Sequence, residues 1–215
     1  MGQSPWGLFL TPFNLYNNMP TLTSKLEAVN SMLGHIGESP VNSISNTNAL
    51  PVSAATAIST LDEISRAVQS VGWQFNTEVN VSLSPAGDGT ITLSEDILEL
   101  DPIDTSIDVV QRGLSLFDRS NNTTVFTTDL KVNQTRLLEW DSLPEQARRY
   151  ITLRASRVFQ GRIVGSRELE ALIARDEYKA YGALMDYDSG SSDRTIFDNY
   201  DVASRIGINR NYDLT

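Results

Sequence analysis

Carboxylates, which can act as general acids and bases, are abundant in this sequence, and some of them lie close together in the chain. Glu95 and Asp96 are adjacent, and Asp101 and Asp104 follow within a few residues. A pair of carboxylates on either side of a sugar linkage is the arrangement used for glycoside hydrolysis. Because the chain has 27 acidic residues among 215, such pairs also arise by chance, and we expect no hydrolytic site here.

The other residue types used in nucleophilic or metal-assisted catalysis are scarce. The sequence has no cysteine, which excludes disulfides, thiolate metal sites and a cysteine nucleophile. His35 is the one histidine, so a zinc site with two or three histidines is excluded. Segment 186–188 begins like a calcium loop, but Phe197 stands where that loop requires glutamate. We therefore predict no enzyme, no cofactor and no metal site.

The charge of the chain limits its partners. Seventeen basic residues against 27 acidic ones give a net charge of −10. A protein that grips nucleic acid needs a basic surface to neutralise phosphates, so we expect no tight binding of duplex DNA. No run of 18 apolar residues occurs, which predicts no membrane span, and the first cationic side chain, Lys25, comes too late for a secretory signal.

Apolar residues at intervals of three and four predict two helices in the N-terminal third. The first lies within 22–36, where Ser24 and Glu27 have the spacing of a capping box and Gly37 provides an end. The second follows a proline and ends at Gly72.

The hydrophobic period changes to two after residue 73, which predicts five or six short antiparallel strands over 74–137. The alternation is clearest around Val81, and it places further strands at Ile91 with Leu93 and at Val125 with Phe126. The helical period then returns.

Pro144 and Ser166 are in position to begin a third and a fourth helix. The predicted fold class is therefore α+β, a four-helix bundle with an antiparallel β subdomain inserted between the second and third helices. The predicted divisions are an N-terminal arm (1–21), the bundle (22–73 and 138–188), the inserted subdomain (74–137) and a C-terminal interaction tail (189–215).

Both ends of the chain have the composition of assembly devices. The arm 1–21 is uncharged and aromatic, and it packs either on its own domain or on a neighbouring subunit. In the tail, residues 188–193 read as a flexible Gly/Ser linker. Apolar anchors follow the linker, and such a segment is typically ordered by a partner. The anchors are candidate contacts for a partner protein or a neighbouring subunit: Ile196, Phe197, Tyr200 and Ile206.

Four segments occur in the order and at the spacing of a known family. They are 26–41, which contains I-G-E-S-P-V; 68–78, which contains Q-S-V-G-W-Q-F-N-T-E; Asp118-Arg119; and 143–159, which contains L-P-E and R-A-S-R-V-F. Together they resemble the tail tubular protein A family, the head-to-tail adaptor or gatekeeper proteins of short-tailed phages.

The resemblance implies a structural virion protein, assembled in the host cytoplasm. In that family twelve copies form a ring below the portal protein, the ring receives the tail nozzle (tail tubular protein B-like) and helps seat the tail fibre protein, and genomic DNA passes through the centre without sequence-specific binding. Some members have been proposed to be cell-wall peptidoglycan hydrolases, which is the alternative function, although this sequence offers no convincing site for it.

The motif residues have structural interpretations. Gly37 and Gly72 are predicted helix ends that need a left-handed conformation. Trp73 and Phe75 are predicted to hold the β subdomain on the bundle.

Two arginines of the last motif, Arg154 and Arg157, are candidates for ion pairs with acidic residues of a neighbouring subunit. Pairing on the surface of their own chain is the other possibility.

Overall fold

The computed structural model of the protein describes residues 22–46 and 49–191. This part contains four α-helices and five strands in two antiparallel sheets, so the α+β class is confirmed. The helices are α1 (Lys25–His35), α2 (Val52–Gln69), α3 (Glu145–Ile163) and α4 (Arg167–Ser191).

The beginning and the end of α1 are set by local hydrogen bonds. The Ser24 hydroxyl accepts from the Glu27 backbone N–H at 3.2 Å, and the Glu27 carboxylate accepts from the Ser24 N–H at 2.7 Å. This reciprocal pair is the predicted capping box. At the other end Gly37 has φ +77°, and the Glu38 N–H reaches back to the Leu33 carbonyl at 3.0 Å.

The third helix is the centre of the helical part. It packs against α1, α2 and α4, and its residues Ile151, Ala155 and Phe159 are fully buried. Met32 of α1 and Leu184 of α4 belong to the same hydrophobic cluster. Burial of this apolar area is the main stabilising term for the helices.

The strands form a second, separate hydrophobic cluster. They are β1 (Thr77–Leu83), β2 (Ile97–Pro102), β3 (Val109–Arg112), β4 (Ser115–Asp118) and β5 (Leu130–Arg136). One sheet has the order β1-β5-β2, and β3 pairs with β4 in a hairpin. Ile91, Leu116 and Val132 lie at the centre of this cluster.

Two of the predicted strands are wrong and the central one was missed. Ile91 and Leu93 are buried, but their segment makes only an isolated bridge at Thr92, and Val125 and Phe126 lie outside any strand. The missed strand β5 has buried polar side chains at the two positions before its last residue, so its apolar alternation stops halfway. Pairing with strands on both sides, which is not local in sequence, makes it a strand.

The linker predicted from residue 188 was also wrong at its start. Residues 188–191 form the last turn of α4. The Asp188 carboxylate accepts a hydrogen bond from the Gln74 backbone N–H at 2.7 Å, and this tertiary contact holds a segment whose glycine and serines favour a loop. The tail anchors from Ile196 onward lie outside the described residues.

No helix of the described ranges is both long enough and apolar enough to cross a lipid bilayer.

Replacing Trp73 should destabilise the whole fold. The indole is 4% exposed, donates from Nε1 to the Val68 carbonyl at 2.8 Å and stacks on Phe75 with ring centroids 6.4 Å apart. We expect Trp73→Ala to lower the free energy of unfolding by about 3–5 kcal/mol, measured by urea titration. Tyr178→Ala, at a side chain that is 80% exposed, is the control and should change it by less than about 0.5 kcal/mol.

The glycines that end α1 and α2 should tolerate alanine unequally. Both have positive φ, which costs an L-residue about 1–2 kcal/mol. A β-carbon at Gly37 would have no neighbour within 4 Å, whereas one at Gly72 would lie 3.1 Å from the Thr135 hydroxyl. Thermal unfolding of Gly37→Ala and Gly72→Ala should therefore show a larger loss for Gly72→Ala, and equal losses would show that the Thr135 contact relaxes freely.

Candidate interaction surface

Two buried amide side chains join the helices to the sheet. Asn76 is 2% exposed, and its Nδ2 donates to the backbone carbonyls of Gln69 at 2.9 Å and Arg136 at 2.8 Å. Its Oδ1 accepts from the Trp73 N–H at 2.9 Å. Asn76 thus connects the end of α2, the turn that follows it and the end of β5.

Gln69 makes the second connection. Its Oε1 accepts from the Leu138 N–H at 2.7 Å, and its Nε2 donates to the Leu138 carbonyl at 3.1 Å. Because Gln69 is fully buried, these bonds replace water on both atoms of its amide. Neither Gln69 nor Asn76 stands out in the sequence as a functional residue, although both lie in the Q-S-V-G-W-Q-F-N motif that carries the resemblance.

A cluster around α3 holds the backbone of Thr23. The Glu145 carboxylate accepts from the Thr23 N–H at 2.8 Å, while Trp140 Nε1 and Arg148 Nη1 each donate to the Thr23 carbonyl at 2.9 Å. Arg148 is 3% exposed and also donates to the carbonyls of Leu143 and Asp141. This cluster fixes the position of Thr23 at the start of the described residues.

The first described residues, the last turn of α4 and the start of the sheet lie at the same end of the helices. Thr23 lies against the first turn of α3. This end of α3 faces the C-terminal part of α4, because the Tyr150 ring of α3 and the Tyr181 ring of α4 are 5.3 Å apart. Gln74, where the chain turns toward the sheet, is bonded to Asp188 of α4.

An open groove runs between α2, α3 and α4, with a volume of about 440 Å³. Its apolar side consists of Val71, Trp73, Tyr178 and Tyr181, and Val71 and Tyr178 are 68% and 80% exposed. Monomeric proteins seldom leave large apolar side chains together in water, so this part of the surface has the character of an interface.

The groove continues into a second cavity of about 420 Å³ beside Gly165 and Ser166 at the start of α4. Arg154, Arg157 and Glu177 line both spaces. We call the two spaces together the α4 groove.

The structure brings the two predicted arginines together in the lining of this groove. Arg157 donates to Glu170 at 2.8 Å and to Glu177 at 3.3 Å, and these bonds raise the pKa of the Arg157 guanidinium above its usual value. Arg154 Nη1 lies 3.8 Å from Glu177 and donates to the Tyr150 hydroxyl at 2.9 Å. Both therefore pair within their own chain, and contact with a neighbour stays a prediction.

The other residues singled out in the sequence lie elsewhere. Gly37 follows α1 and is not part of the groove. Asp96 of the acidic set is paired with Arg136, and the Asp104 carboxylate accepts hydrogen bonds from the Ser106 N–H and hydroxyl. Among the described residues no group of three or more His, Asp and Glu side chains is placed to hold a metal ion. Ile196, Phe197, Tyr200 and Ile206 lie outside the described ranges.

The ion pairs of the groove should contribute little to stability. We expect a double-mutant cycle with Arg157→Ala and Glu177→Gln to give a coupling energy of about 0.5–1 kcal/mol, because Arg157 is 42% exposed although Glu177 is only 12% exposed. The coupling should fall in 1 M salt. The exposed Lys179–Asp176 pair is the matched control and should show no measurable coupling; a larger value there than at Arg157 would contradict this ranking.

Comparison with known proteins places these elements in a family. None of the curated proteins compared with the chain matches it. The family model of the tail tubular proteins matches residues 26–194, a range that begins at the second residue of α1 and includes the rest of that helix, the amide junction, both sheets and the α4 groove. The chain therefore belongs to the tail tubular protein family, whose members are structural proteins of the phage tail.

Proposed function

We propose that this protein is the adaptor between the portal and the tail nozzle, and that twelve copies form a ring in the virion. The observation that carries the proposal is the match to the tail tubular family across every described helix and strand. The exposed aromatic side of the α4 groove supports it, because a subunit of a ring needs apolar surface for its neighbours.

We further propose that the helices form one bundle and that residues 74–137 are a subdomain inserted in it. Two features support this division: the helices and the strands have separate hydrophobic clusters, and α3 contacts each of the other helices. The amides of Gln69 and Asn76 then act as the connection that keeps the inserted part in a fixed position on the bundle.

The charge distribution supports a channel through which DNA slides without being held. Residues 74–137 contain ten acidic and four basic side chains, so this part alone carries −6 of the net −10. A ring of such subunits repels phosphate on average, which disfavours binding and leaves genomic DNA free to pass.

The proposed partners are the portal protein above the ring, the nozzle below it and the tail fibre protein beside it. The residues before 22 and after 191 are the proposed contact segments, since the described residues that adjoin them lie at one end of the helices. No observation on the described residues favours the hydrolase alternative.

Electron microscopy of the chain mixed with its portal tests the proposal. We expect rings with twelve-fold symmetry stacked on the portal, and the free chain at the same concentration should assemble less, because the portal raises the local concentration of subunits. A chain that ends at Ser191 should keep its melting temperature and form few rings. Rings of another symmetry, or no binding to the portal, would reject the adaptor function.

A further inference from the structure

We infer that the α4 groove of one subunit binds residues 192–215 of a neighbouring copy. The inference rests on the proposed ring, in which each subunit has a neighbour on either side. Residues 192–215 are the occupant of the groove in this inference, and their binding to the neighbouring copy is the contact that closes the ring.

The first argument is the groove itself. Tyr178, Tyr181 and Val71 keep 80%, 40% and 68% of their surface exposed in the isolated chain, beside the buried Trp73. Trp73, Tyr178 and Tyr181 line one of the groove's two spaces, and Arg154 and Arg157 line both. Large, amphipathic aromatic rings are the side chains most often found as interface anchors.

The second argument is an unpaired acceptor in the cavity at the start of α4. Gln160 is fully buried, and its Nε2 donates to the Ser166 carbonyl at 3.0 Å. Its Oε1 has no hydrogen-bond partner among the described residues. Since a buried acceptor is costly to leave unpaired, an incoming N–H donor that reaches this atom after a shift of the cavity wall would be favoured.

The third argument is that the net charge of the groove is opposite in sign to that of residues 192–215. The groove contains three arginines (Arg154, Arg157 and Arg167) and two glutamates (Glu170 and Glu177), a net charge of +1. Residues 192–215 contain four aspartates and three arginines, a net charge of −1, together with apolar anchors such as Phe197 and Tyr200. Residues 1–21 contain no charged side chain and lack this complementarity.

The course of α4 favours a neighbour over the same chain. The groove follows α4 from Ser166 to Tyr181, about 22 Å at 1.5 Å per residue, and the helix then continues for ten residues to Ser191. The segment therefore begins about 15 Å beyond its own groove. With 24 residues it can extend up to about 80 Å, enough to fill a groove on the next subunit without reversing direction.

The absence of cysteine in the sequence allows a direct test on the full chain. One preparation carries Tyr178→Cys. Three others carry Phe197→Cys, Tyr200→Cys or Ile206→Cys, and their tag differs in length from the tag of the Tyr178→Cys chain. Mixed preparations are assembled on the portal, oxidised and separated on a non-reducing gel. Only a contact between two copies can give a disulfide-linked band of the mixed size.

We expect at least one of the three mixtures to give this band at a yield at least tenfold above the control. The control replaces Tyr178→Cys by Ser120→Cys, an exposed position in the turn after β4. A chain with both Tyr178→Cys and Phe197→Cys tests whether the segment binds the groove of its own copy, because a disulfide within one copy gives a monomer of altered mobility on the gel.

Two results would overturn the inference. A cross-linked monomer without the mixed band would place the segment in its own groove, and yields at the level of the Ser120 control in all three mixtures would place it elsewhere. Electron micrographs of the same samples distinguish failure of this inference from failure of the proposed function. Rings without cross-links would reject only the groove contact. The absence of rings would reject the adaptor function.

Discussion

The structure depends on the hydrogen bonds of two buried amides at the point where α2 ends. Asn76 and Gln69 bind backbone groups of both strand β5 and the segment that leads to α3, which come about 60 to 70 residues later in the chain. Their partners are backbone groups, whose positions depend on the path of the chain and not on the side chains that it carries. The two hydrophobic clusters are thereby held in one relative position by atoms that water would otherwise solvate.

This junction also sets the geometry of the surface beside it. Asn76 accepts from the Trp73 backbone, which fixes the indole between Phe75 and Tyr181. The indole in turn forms one wall of the α4 groove. Core packing and the candidate interface therefore share side chains, and a rigid core keeps the interface in a defined shape before any partner binds.

Part of the candidate surface was visible in the sequence and part was not. Arg154 and Arg157 stood out because they belong to a motif, but nothing in the sequence identified Glu170 and Glu177 as their partners. No feature of the sequence showed that Tyr178 and Tyr181 belong to an interface, because an aromatic residue on a polar helix does not indicate which helix lies next to it. Only the packing of α4 on α3 brings these side chains to one groove.

Local signals in the sequence were sufficient to determine the α+β class, the four helices, the capping box at Ser24 and the helix ends at Gly37 and Gly72, because caps and periodicity act within a few residues. The tertiary structure decided which strand is central, where α4 ends and which charges meet. Strand β5 owes its place to two distant partners, and the last turn of α4 to the contact between Asp188 and Gln74. These contacts join residues far apart in the chain, so no local pattern of apolar residues records them.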